Sequence, residues 1–477
     1  MPFINRSEEL SFLSGQAKED RSALIVLYGR RRTGKTSLLK RFSTNRRSIL
    51  FVADAQSRPD QLAAFSRVSF AALGEPELGE VAFPTWEAAL RFVATRSRDE
   101  PLFVALDEFG YLCESDPSLP SVLQRLWDAE LREARLHLVL CGSYVSFMER
   151  EILGAKNPLY GRRTGEWLLQ PLRFRDAIGF FTDRAPDELV TIYGVLGGIP
   201  AYLERFDPKR QVADNIITEI LSKGAPLYNE PRFLLMEELR NPHLYFSICQ
   251  AVAFGRTTPN EIAQSAGLPD RGATSHYLDT LREMHVLDRR TPVTERNPER
   301  TRRGRWCLKD PFLRFWFRFV LPNRSALEAG DPQMVFISKV APFLDQHVSL
   351  AFEEVCGQHL WDLNRRGELP AHYDRIGGWW RGDAEVDLLA VSDSGSLLLG
   401  ECKWSINPVG IDVLETLDRR QRAITADLPQ SPGRQVHHAL WSRAGFTAEL
   451  RRRASDTGVL LFDLEDLTGP REQALSL

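Results

Sequence analysis

The sequence predicts an α/β protein with a parallel sheet, and three observations support this fold class. Continuous apolar runs at residues 23–28, 102–106 and 136–141 are typical of buried strands. Helix signals alternate with these runs over residues 1–170, as in a parallel sheet covered by helices. The chain has 477 residues, which is too many for one ordinary core, so we expect further domains after this one.

Composition excludes several classes of protein. The net charge of −3 and the hydrophobic content of 43% are typical of a soluble globular protein, and they give no whole-chain argument for a nucleic-acid partner. No apolar run is long enough to span a bilayer, and the N-terminus lacks the apolar segment of a secretion signal. The six cysteines are scattered without a C-x-x-C pair, so we expect reduced thiols in a cytoplasmic protein that has no membrane partner.

A glycine-rich loop follows the first apolar run and precedes a helix signal. It reads Gly29-Arg30-Arg31-Arg32-Thr33-Gly34-Lys35-Thr36-Ser37, with the spacing of a phosphate-binding loop. Backbone N–H groups of such a loop and the helix N-terminus hold phosphate oxygens. Lys35 would reach the β- and γ-phosphates, and Thr36 would hold Mg²⁺. The sequence therefore predicts a P-loop NTPase sheet that binds ATP with Mg²⁺.

Polar residues follow the other two apolar runs. Asp107 and Glu108 come directly after the second run. Asp107 would hold the water shell of the metal, and Glu108 would polarise the attacking water. Ser143 follows the third run, where a polar residue could sense the γ-phosphate. This last assignment rests on position alone.

The middle of the chain predicts two further domains. Residues 171–240 lose the buried strands, and we expect them to form a helical lid. Residues 241–322 predict a winged helix-turn-helix, because a helix capped by Thr258 precedes an amphipathic helix and a basic hairpin. Such a unit can bind DNA, with a protein-contact or structural role as the alternative. Residues 323–332 are predicted to be a linker. The hairpin arginines are Arg289, Arg290, Arg296, Arg300, Arg302, Arg303 and Arg305.

A second set of carboxylates lies in residues 333–477. Asp387 enters one predicted strand, and Glu401 and Lys403 share a face of the next. Asp387 and Glu401 could share one or two Mg²⁺ ions, with Glu354 or its neighbour Glu353 as a further ligand. Lys403 would orient or deprotonate the water that attacks a phosphodiester. The alternative is a surface acid with a salt-bridging lysine, although an inward charge in an apolar strand needs a partner or a metal.

Together these motifs resemble a prokaryotic family of AAA+-related, archaeal-type ATPases that carry a C-terminal DUF234 domain. The resemblance extends to Phe3-Ile4-Asn5-Arg6, to Pro158-Leu159-Tyr160-Gly161-Arg162-Arg163-Thr164-Gly165 and to Gly197-Gly198-Ile199-Pro200-Ala201-Tyr202-Leu203. It implies that Asn5 and Arg6 lie near the adenine. It also implies that Arg162 or Arg163 acts as an arginine finger, either within one chain or across the interface of a homo-oligomer. Gly110 departs from the family, which commonly has glutamine there.

The DUF234 domain is in turn similar to the PD-(D/E)xK nuclease superfamily. Asp387, Glu401 and Lys403 fall on the three signature positions, which implies an α/β restriction-endonuclease-like domain. Our hypothesis is an ATPase whose nucleotide state gates a Mg²⁺-dependent nuclease acting on DNA, in genome defence or mobile-element biology. The alternative is an ATP-driven signalling switch or DNA-binding regulator whose C-terminal domain is catalytically silent.

Overall fold

The computed structural model describes residues 3–17, 21–239, 242–268, 271–428 and 434–469. The chain divides into two compact units. Unit 1 comprises Met1–Pro171 and Ile199–Ala201, and unit 2 comprises Leu172–Gly198 and Tyr202–Leu477. The segment that we predicted to be a lid therefore belongs almost entirely to unit 2.

Unit 1 is a five-stranded parallel sheet with helices between its strands. The strands are β1 (Ala23–Tyr28), β2 (Ser48–Val52), β3 (Leu102–Asp107), β4 (Leu136–Gly142) and β5 (Gly165–Leu168), in the order β2-β3-β4-β1-β5. The helices are α1 (Ser7–Gln16), α2 (Lys35–Ser43), α3 (Arg58–Ala72), α4 (Trp86–Asp99), α5 (Phe109–Ser115), α6 (Leu119–Ala129) and α7 (Val145–Phe147), and a π-helical turn (Met148–Ile152) follows α7.

Every residue of β1, β3 and β4 is buried, which confirms the three strands predicted from apolar runs. Strands in a parallel sheet are covered on both faces, so each residue needs an apolar side chain whichever way it points. Because the strands are parallel, their carboxyl ends meet at one edge of the sheet. The loop after β1, the acids after β3 and the serine after β4 therefore share that edge.

Unit 2 begins with short helices and continues into a helical segment with a small hairpin. The helices are α8 (Phe174–Ala177), α9 (Pro186–Leu196), α10 (Pro200–Leu203, which starts in unit 1), α11 (Val212–Ile216), α12 (Glu230–Glu238), α13 (Pro242–Ala253), α14 (Pro259–Ala266) and α15 (Arg271–Glu283). The hairpin pairs β6 (Leu287–Arg290) with β7 (Arg305–Leu308) in antiparallel fashion. Thr258 and Glu261 form the predicted capping box of α14, and Gly267 ends that helix with φ 68°.

The predicted linker at 323–332 is wrong, because this segment is mostly helical. The helices here are α16 (Pro311–Phe315), α17 (Arg324–Glu328), α18 (Pro332–Val335) and α19 (Leu344–Arg366), with π-helical turns at Trp316–Val320 and Phe336–Val340. Leu327 is fully buried and anchors α17 to the rest of unit 2. Its apolar contact outweighs the proline and glycine content that suggested a linker.

The C-terminal part of unit 2 is a mixed five-stranded sheet. Its strands are β8 (Arg375–Arg381), β9 (Ala384–Val391), β10 (Leu397–Lys403), β11 (Val436–Ser442) and β12 (Leu460–Phe462), in the order β12-β11-β10-β9-β8. The first three strands are antiparallel, and the last two run parallel to β10. The helices α20 (Ile411–Ala426), α21 (Ala448–Thr457) and α22 (Leu464–Thr468) complete this part. Across the described ranges no helix has the length and apolar character needed to cross a membrane.

Candidate functional site

The loop between β1 and α2 has the backbone of a phosphate cradle. Gly29 adopts φ 155°, and a Cβ there would lie 2.5 Å from the carbonyl oxygen of Leu169. Gly34 adopts φ 95° and is the N-cap of α2, so the first amides of that helix face the loop. The Lys35 Nζ donates to the carbonyl oxygens of Gly29 and Arg30, at 2.7 and 3.0 Å. Burial lowers the pKa of Lys35. The ammonium thus lies inside the loop, where a phosphate would offer it better acceptors.

Two hydrogen bonds connect the polar residues at this edge of the sheet. The Thr36 hydroxyl donates to Asp107 Oδ2 at 2.5 Å, and the Ser143 hydroxyl donates to Glu108 Oε1 at 2.6 Å. Glu108 has φ 54°, which turns the chain from β3 into α5. The structure therefore brings together the four residues that the sequence assigned to Mg²⁺, water activation and γ-phosphate sensing. Hydroxyl and carboxylate oxygens are ligands that Mg²⁺ prefers, so this donor set fits a Mg²⁺–nucleotide.

Arg6 contacts the phosphate-binding loop through hydrogen bonds. Asn5 and Arg6 have left-handed φ values of 54° and 71°, which direct the Arg6 side chain inward. Its guanidinium donates to the carbonyl oxygens of Thr33 and Gln170, at 2.9 and 2.8 Å. The side chain of Asn5 instead accepts from Ser7 at the start of α1. Proximity of these two residues to an adenine stays a prediction, and the contact with the loop is a role that the sequence did not reveal.

The three arginines of the loop differ in their surroundings. Arg31 lies over the Tyr144 ring, with its guanidinium carbon 5.3 Å from the ring centroid. The Arg30 carbonyl accepts from the Thr33 hydroxyl at 2.8 Å, which tightens the turn. Arg32 has φ 67°. The side chains of Arg32 and of Ser37 in α2 are exposed. Their contact with phosphate stays a prediction.

The candidate finger residues lie at the opposite edge of the sheet. Arg162 pairs with Asp128, with its Nη2 2.9 Å from Oδ2, and Arg163 pairs with Glu166 at 2.7 Å. The next residue, Thr164, donates its N–H to the carbonyl of Leu24 near the start of β1. The P-loop follows the other end of that strand, and the charge of Arg163 acts on Tyr28, the last residue of β1. Action within one chain and action across a subunit interface both stay open, and the finger itself stays a prediction.

Asp387, Glu401 and Lys403 face one another across β9 and β10, as the strand alternation predicted. Asp387 Oδ2 accepts the N–H of Cys402 at 2.8 Å, and Lys403 Nζ donates to Glu401 Oε1 at 2.6 Å. Arg420 of α20 donates to both oxygens of Glu401, at 3.2 and 3.0 Å. No sequence motif pointed to Arg420, which lies in the helix that connects β10 to β11. Glu401 is only 5% exposed, so these two cations hold a buried carboxylate.

Glu354, which we named as a further metal ligand, is instead paired with two arginines in this structure. Its Oε1 accepts from Arg290 at 2.6 Å and from Arg314 at 2.8 Å. Burial opposes ionisation of Glu354, but these two guanidiniums hold its pKa below the ordinary value. The neighbouring Glu353 is the residue whose charge interacts with Asp387. Adjacent residues on a helix point about 100° apart, and the sequence did not fix which of the two would face the sheet.

The electrostatics show that this second cluster is crowded with negative charge. Burial and then the charge of Asp387 raise the pKa of Glu353 to about 8. Burial and then the charge of Glu401 raise the pKa of Asp387 to about 6. Burial lowers the pKa of Lys403, but Glu401 outweighs that effect and raises it above the ordinary value. A lysine held in its charged form can orient a water but cannot deprotonate it.

The side chains of this cluster are not arranged as a metal-binding site. In the parts of the chain that the structure describes, no three histidine, cysteine, aspartate or glutamate side chains are grouped so that they could hold a metal ion. The reason is visible in the contacts, because Glu401 is directed to Lys403 and Arg420 and Asp387 to a backbone amide. A Mg²⁺ ion in unit 2 would therefore require Glu401 to leave its cationic partners.

Most hairpin arginines predicted to contact DNA are bound within unit 2. Arg289 donates to the carbonyls of Pro298 and Thr301, Arg290 pairs with Glu354, Arg303 pairs with Glu295 and Asp427, and Arg305 pairs with Glu385 and lies over Trp380. Four of the seven side chains therefore already have hydrogen-bond or ion-pair partners within unit 2. Arg296, Arg300 and Arg302 are exposed and remain the candidates for a phosphate contact.

Comparison with known proteins gives matches for both units. A family model described as an ATPase domain predominantly from Archaea matches residues 3–206, and the model DUF234, described as archaeal and bacterial proteins of unknown function, matches residues 316–417. The Methanocaldococcus jannaschii protein MJECL04 is 33% identical over 98% of this chain and 100% of its own length. The ATP-binding protein MJ0423 of that organism is 53% identical over 45 residues, which are 9% of this chain and 76% of its own.

A solved structure supports the same assignment of fold. The Walker-type ATPase PABY2304 of Pyrococcus abyssi has a TM-score of 0.50 and 20% sequence identity, over 66% of this chain and 96% of that chain. At this identity the likeness concerns the fold alone. The P-loop residues fall within the matched ATPase segment, and the carboxylates and Lys403 of the second cluster fall within the matched DUF234 segment.

Proposed function

Since this chain belongs to the family of archaeal-type ATPases that includes MJECL04 and joins an ATPase domain to a DUF234 domain, we propose that it hydrolyses ATP at the P-loop and that its nucleotide state controls unit 2. The observation that carries the first part is the pair of hydrogen bonds Thr36–Asp107 and Ser143–Glu108 at one sheet edge. These two contacts support the roles that we assign to Asp107 and Glu108, because both carboxylates lie beside the loop.

Each residue of the site has a distinct task in this proposal. The Lys35 ammonium leaves the loop carbonyls and binds the β- and γ-phosphates. Thr36 and Asp107 are the residues that would hold Mg²⁺, which neutralises charge that develops on the phosphates. Glu108 accepts a hydrogen bond from the attacking water and orients it. The Ser143 hydroxyl, freed from Glu108, can donate to the γ-phosphate and so report whether that phosphate is present.

Phosphate release from ATP tests the assignment of the metal-holding residue. Wild type should release phosphate only when Mg²⁺ is present. Asp107→Asn should need at least about tenfold more Mg²⁺ for half-maximal release, because a charge-assisted contact contributes roughly 1.5–3 kcal/mol. Asp99→Asn, an exposed carboxylate at the end of α4, is the matched control and should leave the Mg²⁺ requirement unchanged. Release by wild type without Mg²⁺, or equal requirements in all three proteins, would contradict the proposal.

For unit 2 we propose Mg²⁺-dependent cleavage of DNA by the cluster of Glu353, Asp387, Glu401 and Lys403. The supporting observation is that three carboxylates and a charged lysine interact in one partly buried site, since natural proteins seldom group like charges away from water without a functional reason. The exposed hairpin residues Arg296, Arg300 and Arg302 support DNA as the substrate. So does the order of helices α13, α14 and α15 before the β6–β7 hairpin, which is compatible with a winged helix.

The contacts of Glu401 favour the second candidate, in which unit 2 is a regulatory module without catalytic activity. Glu401 already has two cationic partners, Lys403 and Arg420, so its charge is balanced without a metal. In this case ATP hydrolysis would control assembly or DNA binding without strand cleavage. The two candidates make opposite predictions for a nuclease assay.

The assay uses plasmid, linear and single-stranded DNA and RNA, with Mg²⁺ or Mn²⁺, in the presence and absence of ATP. The key variant is Glu401→Ala with Lys403→Ala, and the matched control is Glu415→Ala with Arg419→Ala, an exposed acid and base of α20. Cleavage by wild type and by the control, but not by the key variant, supports the nuclease. Absence of cleavage by wild type under every condition supports the silent module and leaves the ATPase proposal intact.

A further inference from the structure

Unit 2 contains a cavity of about 800 Å³ that lies outside both sites described above. It is lined by the C-terminal end of α13, by β7, by the π-helical turn Trp316–Val320 and by the N-terminal half of α19. Ligand sites for small molecules usually measure roughly 300–1,000 Å³. The volume is therefore that of a small-molecule site.

The charged residues that line the cavity all carry positive charge. They are Arg290, Arg314, Arg318 and Lys339, and among the residues that the structure describes no acidic one lines the cavity. One carboxylate, Glu354, pairs with both Arg290 and Arg314 and so balances only one of them. Arg318 hydrogen-bonds to the amide oxygen of Gln346, at 2.6 Å. Positive charge is therefore in excess around this space, and an anion would find several donors.

Arg314 gives an independent indication of a missing partner. The residue is only 6% exposed, and its Nη2 donates to Glu354 and to the carbonyl of Leu308. Its Nη1 is fully buried and has no hydrogen-bond partner in the described part of the chain. A buried charged donor without a partner is unfavourable. Arg314 itself lines the cavity, so its unsatisfied donor adds to the excess of positive charge there.

Large apolar side chains form another part of the cavity wall. Phe254, Phe343 and Leu350 line it, and they are 57%, 49% and 42% exposed. Trp306 and Phe319 contribute buried apolar surface. Large exposed apolar side chains grouped at a concave surface usually contact a ligand. The occupant should therefore have an apolar ring or chain as well as negative charge.

We propose that this cavity binds a small organic dianion, with phosphate or carboxylate groups at the guanidiniums and an apolar body against Phe254, Phe343 and Leu350. The two headgroups share the chemistry that the site offers, because a guanidinium binds either one through paired hydrogen bonds. This site is separate from the P-loop, and it gives unit 2 a ligand of its own.

Fluorescence of 8-anilinonaphthalene-1-sulfonate, an apolar anion, tests the site in the full chain. Wild type should bind the dye at one site per chain and should bind the neutral analogue N-phenyl-1-naphthylamine at least about tenfold more weakly. Arg318→Gln with Lys339→Gln should weaken dye binding by about tenfold or more, through loss of two cationic donors. Ser349→Trp, which fills the cavity from α19, should abolish it. Near-ultraviolet circular dichroism checks that each variant is folded, and these variants leave the buried pair of Arg314 and Glu354 intact.

The control variant is Arg452→Gln with Arg453→Gln, which removes two exposed charges of α21 away from the cavity. It should bind the dye as wild type does. Displacement of the dye by adenosine monophosphate would identify a phosphate ligand, and displacement by decanedioate would identify a carboxylate ligand. Equal binding of the neutral analogue, dye binding that changes less than about threefold in both cavity variants, or no displacement by either anion would overturn the proposal.

Discussion

Unit 1 and unit 2 both place acidic residues beside a basic one, but the acids have different partners. At the P-loop, Asp107 and Glu108 accept hydrogen bonds from the neutral hydroxyls of Thr36 and Ser143. In the DUF234 segment, Glu401 accepts from two cations, Lys403 and Arg420. A hydroxyl can rotate away at little cost and leaves the full negative charge for a metal. A cation must be displaced, and its loss leaves a buried charge unpaired.

If the proposed function is correct, this difference separates a P-loop site whose carboxylates are open to Mg²⁺ from a second site whose glutamate is held by cations. The P-loop site requires only that Lys35 exchange loop carbonyls for phosphate oxygens. The second site requires a salt bridge of a nearly buried glutamate to open first. The predictions below test this contrast, starting with the largest expected effect.

Lys35→Ala should remove ATP binding and with it all hydrolysis. The ammonium contributes the main positive charge to the β- and γ-phosphates, so we expect affinity to fall by at least about two orders of magnitude. Titration with a fluorescent ATP analogue measures this loss. Lys40→Ala, an exposed lysine of the same helix, is the control. If Lys35→Ala bound ATP as tightly as the control, the P-loop assignment would be wrong.

Glu108→Gln should keep ATP binding and slow hydrolysis. A glutamine fills the same space and still accepts from Ser143, but it cannot polarise water as a carboxylate does. General-base catalysis contributes about 10²–10⁴-fold, so we expect a loss in that range. Single-turnover hydrolysis with bound ATP measures the chemical step directly. Glu114→Gln at the end of α5 should hydrolyse ATP at the wild-type rate, and an equally fast Glu108→Gln would exclude Glu108 as the base.

Arg420→Gln should loosen the second site and make it sensitive to metal. Loss of one charged partner of Glu401 should destabilise β10 and α20 locally by about 1–3 kcal/mol. Amide hydrogen exchange reports this as faster exchange in those two elements. If the cluster is a Mg²⁺ site, added Mg²⁺ should restore protection in Arg420→Gln more than in Arg419→Gln, which alters an exposed neighbour. Equal responses to Mg²⁺ would favour the silent module.

The pH dependence of stability should be the smallest effect. The pKa of Glu353 is raised to about 8 in the folded chain, so folding favours its protonated form. This contribution is fully present below the ordinary glutamate pKa and is lost as the pH rises through about 8. Glu353→Gln should therefore unfold at a higher temperature than wild type at pH 8.5, by an amount equivalent to at least about 1 kcal/mol, and this advantage should shrink at pH 5. Thermal unfolding at the two pH values measures it, with Glu449→Gln, an exposed acid of α21, as control.

The sequence predicted the parts of this molecule that depend on local pattern. Buried strands and the polar residues that follow them are encoded within a few residues, so the P-loop edge was foreseeable from β1, β3 and β4. Partners distant in sequence were not foreseeable. Arg420 reaches Glu401 only because α20 crosses back over the sheet, and Arg290 is neutralised by Glu354, 64 residues away. The arginines of the hairpin predicted a DNA contact. In the folded structure most of them have partners within unit 2.

The local sequence pattern also did not show which of Glu353 and Glu354 would face Asp387. Both lie on the 23-residue helix α19, whose buried residues recur in adjacent pairs every four positions. Glu353 and Glu354 fall between two such pairs, so each borders the buried stripe and the pattern alone does not separate them. Their different partners were visible only in the packed structure.

The contacts of Arg6 have a consequence for how the protein is made. Its guanidinium joins the P-loop to Gln170, and Pro200 lies close to Gly34, 3.9 Å from where a Cβ on that glycine would lie. A ribosome that has translated the loop itself still has more than a hundred residues to add before these supports exist. The growing chain thus carries its nucleotide-binding motif early and completes the pocket late. Competence to bind ATP should arise in a single step, after residue 200 has left the exit tunnel.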